Sequence, residues 1–116
     1  MNTVMKPSEG APKTTDAMDT IGVSESIADG LLWTRLSEGV VEVRIDRPAA
    51  RNALAVAVFN GLTEAWARVN RDASIQVAIL TSADCGTFCA GMDLKEAAAL
   101  RQRDGKDITS YIRDPF

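Results

Sequence analysis

The stretch with the clearest capacity for chemistry is residues 87–96, where a polar loop of small residues leads from an apolar run into a helical pattern. Such a junction exposes backbone N–H groups, because the first amides of a helix have no partner within it. Asp93 is placed as the N-cap, and Glu96 three residues later predicts a capping box. Ala90 and Gly91 have little or no side chain, so the main chain ahead of the cap is sterically accessible. These amides and the positive helix end could hold a developing negative oxygen.

The same residues also fit an ordinary strand, loop and helix connection, since caps of this kind are common. A resemblance to a known family favours the catalytic alternative. Residues 88–96 read F-C-A-G-M-D-L-K-E and are similar to the F-x-A-G-x-D-(L/I)-K-E segment of the enoyl-CoA hydratase/isomerase family, also called the crotonase family. Residues 45–54 read I-D-R-P-A-A-R-N-A-L and resemble that family's N-R-P-x-x-x-N-A-L signature, with Asp46 where asparagine is usual. The likeness runs from about residue 31 to the end of the chain.

The resemblance implies a chemistry of acyl-CoA thioesters, in which the thioester carbonyl is polarised so that an enolate-like oxyanion can form. Carried over to this sequence, the amide of Ala90 would be one of two oxyanion donors. The second donor and the two glutamates of the hydratases belong to later family segments that this chain is expected not to reach. Because one lost donor costs on the order of 10²–10³ in rate, we expect the chain by itself to be inactive.

The resemblance also assigns residues to the binding of coenzyme A. The backbone around Ala50, Arg51 and Ala53 would line the adenine and pantetheine end. Four consecutive residues would face the thioester: Ala90, Gly91, Met92 and Asp93. Arg47 and Arg51 are candidates for phosphate contacts because a guanidinium matches phosphate oxygens, and the alternative for each is a solvated surface arginine. For Asp93, a role as catalytic acid competes with the cap, which already explains its position.

Composition narrows the remaining function classes. The chain has 116 residues, of which 46% are apolar and 25% charged, and its net charge is −3. This is ordinary globular composition without the basic field of a nucleic-acid-binding protein. Histidine is absent and Cys85 and Cys89 are the only cysteines, so we expect neither a metal site nor a prosthetic group, and we expect both thiols to be structural. The expected substrate, an acyl-CoA thioester, is implied by the resemblance alone.

The beginning of the chain differs in composition from the rest. Residues 1–29 are rich in Ser, Thr, Gly, Pro and acids without sustained periodicity, which predicts a disordered tail. Residues 30–116 are then the N-terminal part of a crotonase-like domain. The tail has no long apolar stretch for a signal peptide or a membrane span, so a cytoplasmic location without a membrane partner is expected. By resemblance, the whole protein would form a homotrimer or a hexamer.

The periodicity of residues 30–116 predicts a ββαβα order of elements. Two strands over 31–36 and 40–45 form a hairpin, and a helix runs from an N-cap at Asn52 to about residue 70. A strand over 75–81 that is expected to be buried, a helix over 94–103 and the start of another helical segment over 107–113 follow. The first helix has one apolar stripe, made of Leu54, Val58, Leu62, Trp66 and Val69, and Trp66 is expected to be core.

This order predicts an α/β fold in which helices lie against a sheet. The resemblance makes it a crotonase-like (ClpP/crotonase) spiral of ββα units, incomplete in this chain. An incomplete fold would leave apolar surface uncovered on the sheet and on the first helix, which predicts aggregation. Two alternatives stay open: a non-catalytic truncated fragment that binds coenzyme A or another partner, and a plain α/β domain without a ligand.

Overall fold

A four-stranded sheet with one long helix against it organises the chain. The computed structural model describes residues 20–113. The strands are β1 (Ser24–Ala28), β2 (Leu31–Ser37), β3 (Val40–Ile45) and β4 (Val77–Ser82), in the order β1-β2-β3-β4. The first two pairings are antiparallel, and β3 and β4 are parallel. Helix α1 (Val56–Arg71) connects β3 to β4, and α2 (Leu94–Asp104) follows β4.

The alternation of apolar residues on the β2–β3 hairpin decides which face of the sheet is covered. Val41, Val43 and Ile45 are buried on one face of β3, and Leu31 and Trp33 of β2 are buried beside them. Helix α1 places its apolar stripe on this face: Val58 is fully buried, and Leu62, Trp66 and Val69 are partly buried against the same core. Leu54, the first residue of the predicted stripe, packs against this core from the loop ahead of α1. The predicted hairpin, stripe and α/β layering are confirmed.

The predicted disordered tail is wrong at its C-terminal end. Residues 24–28 form β1, which pairs with β2 and packs Ile27 and Ala28 against the core. The hydroxyl groups of Ser24 and Thr34 lie 2.7 Å apart across this pair. The sequence alone did not predict this short strand, because its polar residues become ordered only by pairing with β2. Residues 1–19, the rest of the predicted tail, lie outside the described residues.

Three other features of the fold differ from the sequence prediction. Helix α1 begins at Val56 with Ala55 as its N-cap, so the predicted cap at Asn52 is wrong. The segment predicted as helical over 107–113 contains a short 3-10 helix, Ile108–Tyr111. Strand β4 is present, but it lies at an edge of the sheet with several exposed side chains rather than being buried. Between residues 20 and 113, no helix has the length and apolar character that crossing a membrane requires.

Candidate active site

Main-chain hydrogen bonds bring the two sequence blocks together. The amide of Leu54 donates to the carbonyl of Gly91 at 2.7 Å, and the amide of Asp93 donates to the carbonyl of Leu54 at 3.0 Å. Leu54 and Met92 thus form an isolated parallel bridge. A third bond runs from the amide of Ala90 to the carbonyl of Arg51 at 3.1 Å. The loop after β3 and the loop before α2, which carry the two motifs, are therefore bonded to each other.

Asn52 holds the two loops together from inside. Its side chain is fully buried, and its Nδ2 donates to the carbonyls of Ala83 and Thr87 at 2.8 and 3.0 Å. Its Oδ1 accepts from the amide of Arg47 at 3.0 Å. The residue adopts a left-handed φ of 57°, which asparagine tolerates better than most residues. Asn52 is thus a latch between loops and not the helix cap that local spacing indicated.

The hydrogen bond of Ala90 contradicts the prediction that this amide is free to receive a substrate oxygen. Its N–H already points to the carbonyl of Arg51. The amide of Gly91 lies 3.4 Å from the sulfur of Cys89, and that of Asp93 donates to Leu54. Among residues 90–93 of the described chain, the amide of Met92 alone has no acceptor.

The bridge to Leu54 explains why the Met92 amide is free. In a parallel bridge, Leu54 bonds to the residues on either side of Met92, so the N–H and carbonyl of Met92 itself point to the opposite side. Gly91 turns the chain ahead of it with φ of 90°, a conformation that other residues rarely adopt. A Cβ at Gly91 would meet nothing within 4 Å, so the approach to this turn is open.

Asp93 is the cap of α2, as predicted. Its Oδ1 accepts from the amide of Glu96 at 3.1 Å, and its Oδ2 accepts from Nη2 of Arg47 at 3.0 Å. The Glu96 amide and, next, the Arg47 guanidinium lower the pKa of the carboxyl group against the opposing effect of burial. Asp93 is therefore ionised at neutral pH, which argues against the alternative of a catalytic acid.

The other half of the predicted capping box is wrong. The carboxylate of Glu96 does not return to the amide of Asp93, which donates to Leu54 instead. Its Oε1 accepts from the amide of Val56 at 2.7 Å. Because Val56 is the first residue of α1 and the cap residue Ala55 makes no side-chain bond, Glu96 caps α1 from the neighbouring helix.

The predicted coenzyme residues of the first block lie in the same loop but differ in accessibility. Arg51 is exposed, and its Nη2 lies 3.1 Å from the hydroxyl of Thr87. Arg47 instead directs its guanidinium to Asp93 and to the carbonyl of Ala53 at 2.6 Å. Ala53 is buried, and its amide donates to Ala50. Arg51 thus keeps an accessible guanidinium, whereas that of Arg47 is engaged by Ala53 and Asp93 and is not a solvated surface group. Whether either arginine contacts phosphate stays a prediction.

The loop between β4 and Ala90 forms an open depression of about 360 Å³, lined by residues 82–88. Both cysteines are free thiols in this region. Cys85 donates to the carbonyl of Thr87 at 3.3 Å, and Cys89 accepts from Gly91. Within residues 20–113, no cluster of three or more acidic, histidine or cysteine side chains could hold a metal ion.

The paired loops, the capped helix and the βββαβα order of the described elements are those of a crotonase-type α/β protein. Comparison with known families agrees: the chain belongs to the enoyl-CoA hydratase/isomerase family, whose model matches residues 35–113. The predicted family and fold class are confirmed, and the chain has part of the crotonase fold.

Two curated relatives illustrate the likeness. The chain is 53% identical over 69 residues to enoyl-CoA hydratase EchA19 of Mycobacterium tuberculosis, covering 60% of this chain and 26% of the relative. It is 39% identical over 85 residues to (E)-benzylidenesuccinyl-CoA hydratase of Thauera aromatica, covering 67% of this chain and 33% of the relative. The chain thus spans between about a quarter and a third of the length of these relatives.

Solved structures give the same result. An enoyl-CoA hydratase from Bacillus anthracis superposes with a TM-score of 0.62 at 29% identity, over 71% of this chain and 32% of that one. A probable enoyl-CoA hydratase/isomerase from Mycobacterium abscessus gives a TM-score of 0.57 at 43% identity, over 62% of this chain and 28% of that one.

Sequence reasoning missed the structural roles of Asn52 and Arg47, although both lie in a motif that it singled out. The available signal was chemical: asparagine tolerates a left-handed φ, and arginine can bridge two acceptors with its fork. Neither property identifies the partner, which in each case lies on the distant loop.

Proposed function

We propose that this chain is the N-terminal part of an enzyme that binds an acyl-CoA thioester and stabilises its enolate in a backbone oxyanion hole. The free amide of Met92 carries the proposal, and it replaces Ala90 as the donor that this chain contributes. The amide lies directly ahead of the Asp93 cap of α2, where the helix dipole adds positive potential. A thioester oxygen that gains negative charge would be held more strongly in the transition state than in the ground state.

The local charges are compatible with this role. The carboxylate of Asp93 would oppose a negative oxygen nearby, but the guanidinium of Arg47 and the amide of Glu96 are bonded to it. The Met92 amide therefore faces its ligand beside a neutralised ion pair. Arg51 would meet a phosphate of the coenzyme, with the backbone of Ala50 and Ala53 supporting the same loop. The substrate supplies the coenzyme A moiety, and the proposal includes no prosthetic group.

The enzyme class follows from the relatives and is proposed for the whole protein. Named relatives are hydratases of CoA thioesters. We therefore assign the whole protein to hydratase or isomerase chemistry, with the acids that move protons supplied outside this chain. The chain alone would bind a thioester and polarise its carbonyl without turning it over.

Nuclear magnetic resonance of the ¹⁵N-labelled chain tests the proposed donor. Titration with acetoacetyl-CoA should move the Met92 amide proton downfield, because a hydrogen bond to the acyl oxygen deshields it. Free coenzyme A lacks that oxygen and should leave the Met92 signal in place. The Ala90 amide should hold its position in both titrations, since its hydrogen bond to Arg51 persists.

A pair of variants at the same position provides the matched control. Met92→Pro removes the N–H, and Met92→Leu keeps it with similar side-chain volume. Calorimetry should show that only the proline variant loses its preference for acetoacetyl-CoA over free coenzyme A. If Met92 does not respond to the thioester, the oxyanion role is wrong. Equal binding of the thioester and free coenzyme A by the wild-type chain would favour a non-catalytic coenzyme-binding fragment instead.

A further inference from the structure

Arg47 contacts both sides of the bridge that presents the Met92 amide. Its Nη1 donates to the carbonyl of Ala53 at 2.6 Å, and its Nη2 donates to the carboxylate of Asp93 at 3.0 Å. Ala53 directly precedes Leu54, and Asp93 directly follows Met92. One guanidinium therefore joins the two chain segments that the Leu54–Met92 bridge also pairs.

Both the backbone and the side chain of Arg47 are held in place. Its backbone amide donates to Oδ1 of the buried Asn52 at 3.0 Å. Its aliphatic stem passes Gly30 so closely that a Cβ there would lie 2.7 Å from Cγ and 2.8 Å from Cδ of Arg47. The side chain is 25% exposed and that of Asp93 is 14% exposed, so water competes only weakly for the ion pair.

Arginine suits this contact because its planar fork offers two donors at a fixed separation. A lysine ammonium could reach Asp93 or Ala53 but is a single point charge. The geometry of the fork fixes the distance between the Ala53 carbonyl and the Asp93 carboxylate. It thereby limits how far the two segments can move apart, while the Leu54 amide holds the carbonyl of the Gly91–Met92 peptide, whose N–H is the free one.

We infer that Arg47 is a positioning residue for the Met92 amide: its guanidinium clamps the Leu54–Met92 bridge so that the free N–H keeps one direction. This inference rests on the proposed function for its consequence, since an oxyanion donor is effective only when it is preorganised. The clamp itself is a property of the unliganded chain.

The test compares Arg47→Met and Arg47→Lys with Arg44→Met as a matched control. Arg44 is a half-exposed arginine on β3 that bonds to Ser82 and Glu42, away from the bridge. In the unliganded ¹⁵N-labelled chain, the Met92 amide should show a lower order parameter in both Arg47 variants. The amides of Val41 and Val43 should stay unchanged, and Arg44→Met should match the wild type at every site.

Binding gives the second readout. Both Arg47 variants should lose affinity for acetoacetyl-CoA by about tenfold, because one hydrogen-bond donor is modestly misplaced. Their affinity for free coenzyme A should fall less than their affinity for acetoacetyl-CoA, since only the acyl oxygen is proposed to bond to the Met92 amide. Arg47→Lys should lie closer to the wild type than Arg47→Met because it keeps the charge opposite Asp93.

The outcomes separate the two proposals. An unchanged Met92 order parameter in both variants overturns the positioning role, whatever the ligand does. Equal losses for acetoacetyl-CoA and free coenzyme A also overturn it, because they show a general structural effect. If the wild-type chain does not distinguish the two ligands, the proposed function fails, and the order parameter still decides the clamp. Should Arg47→Met lose its near-ultraviolet circular dichroism, Arg47→Lys decides.

Discussion

The side-chain amide of Asn52 donates to the carbonyl oxygen of Thr87 over 3.0 Å, and the two residues are 35 positions apart in the chain. This contact, with its companion to Ala83, ties the first motif to the second from the buried side. Asn52 therefore holds the two loops together alongside the main-chain bonds between them.

Replacement of Asn52 by alanine should lower the free energy of unfolding by about 2–4 kcal/mol, since buried carbonyls lose their donors and alanine is strained at positive φ. Asn52→Gly removes the same bonds without the strain and should lose less. Urea unfolding measures both. Asn70→Ala, at an exposed site of α1, is the control. Apart from the difference in helix propensity between asparagine and alanine, it should change the free energy of unfolding by less than about 0.5 kcal/mol. If Asn52→Ala lowered the free energy of unfolding no more than Asn70→Ala, the role of Asn52 in holding the two loops together would be refuted.

Asp93→Asn should make stability less dependent on pH in the acid range. The folded state lowers the pKa of Asp93 from its ordinary value of 3.8, first through the Glu96 amide and then through Arg47. A carboxyl group with a lowered pKa stabilises the fold above its unfolded pKa, and this contribution is lost as pH falls through the folded pKa. The difference in unfolding free energy between wild type and variant should thus be largest above about pH 4 and shrink below it.

Urea unfolding across the acid range measures this difference. Asp84→Asn is the control, because Asp84 is exposed and makes no hydrogen bond or ion pair with the rest of residues 20–113. It should leave the pH dependence of the wild type intact. A constant gap between the wild type and Asp93→Asn at all pH values would show that the ionised cap contributes nothing.

Glu96→Ala should destabilise the start of α1 rather than only its own helix. The variant removes the acceptor of the Val56 amide, and loss of a helix cap costs about 1 kcal/mol. Hydrogen exchange should therefore accelerate at Val56 and at the amides next to it. Glu96→Gln keeps an acceptor and should lose less, and Glu64→Ala, an exposed site of α1, should leave Val56 protected. Faster exchange confined to α2 would contradict the cap across helices.

Strand β4 should cause the isolated chain to self-associate. Val77, Ile79 and Leu80 are 49%, 40% and 39% exposed, and the outer edge of the strand is unpaired in the four-stranded sheet. Exposed apolar edges pair with other chains. Of the two surfaces predicted to be uncovered, the stripe of α1 is packed against the core, so the liability lies on the sheet.

Ile79→Lys should reduce this association, because Ile79 is paired with Glu42 of β3 and a lysine there gains an opposite charge on the same face. Ile79→Val keeps the apolar surface and should associate like the wild type. Sedimentation velocity over a range of concentrations measures both. A wild-type chain that is monomeric at every concentration would contradict the prediction.

Local patterns in the sequence were sufficient for much of the fold. The alternation of Val41, Val43 and Ile45 predicted the buried face of β3, and the spacing from Val58 to Trp66 predicted the packed face of α1. The cap at Asp93 followed from its place before a helical run. These features succeeded because each depends on neighbours within a few residues.

Strand β1 and the start of α1 could not be predicted in this way. Residues 24–28, three of which are polar, form a strand because β2 offers them a partner. Asn52 looks like a cap in sequence, but the carbonyls of the later loop draw its side chain inward. In both cases a tertiary contact outweighed the local preference.

The sequence by itself determined the family, the order of the elements from β2 to α2 and the two blocks of the candidate site, because motif residues and hydrophobic periods are local properties. Only the tertiary structure decided which amide is free. Ala90 and Met92 both lie in the short loop ahead of the Asp93 cap. The amide of Ala90 donates to Arg51, whereas the bridge to Leu54 turns the amide of Met92 outward. Hydrogen-bond partners that lie about forty residues apart are chosen by the packing of the two loops, and no local rule specifies them.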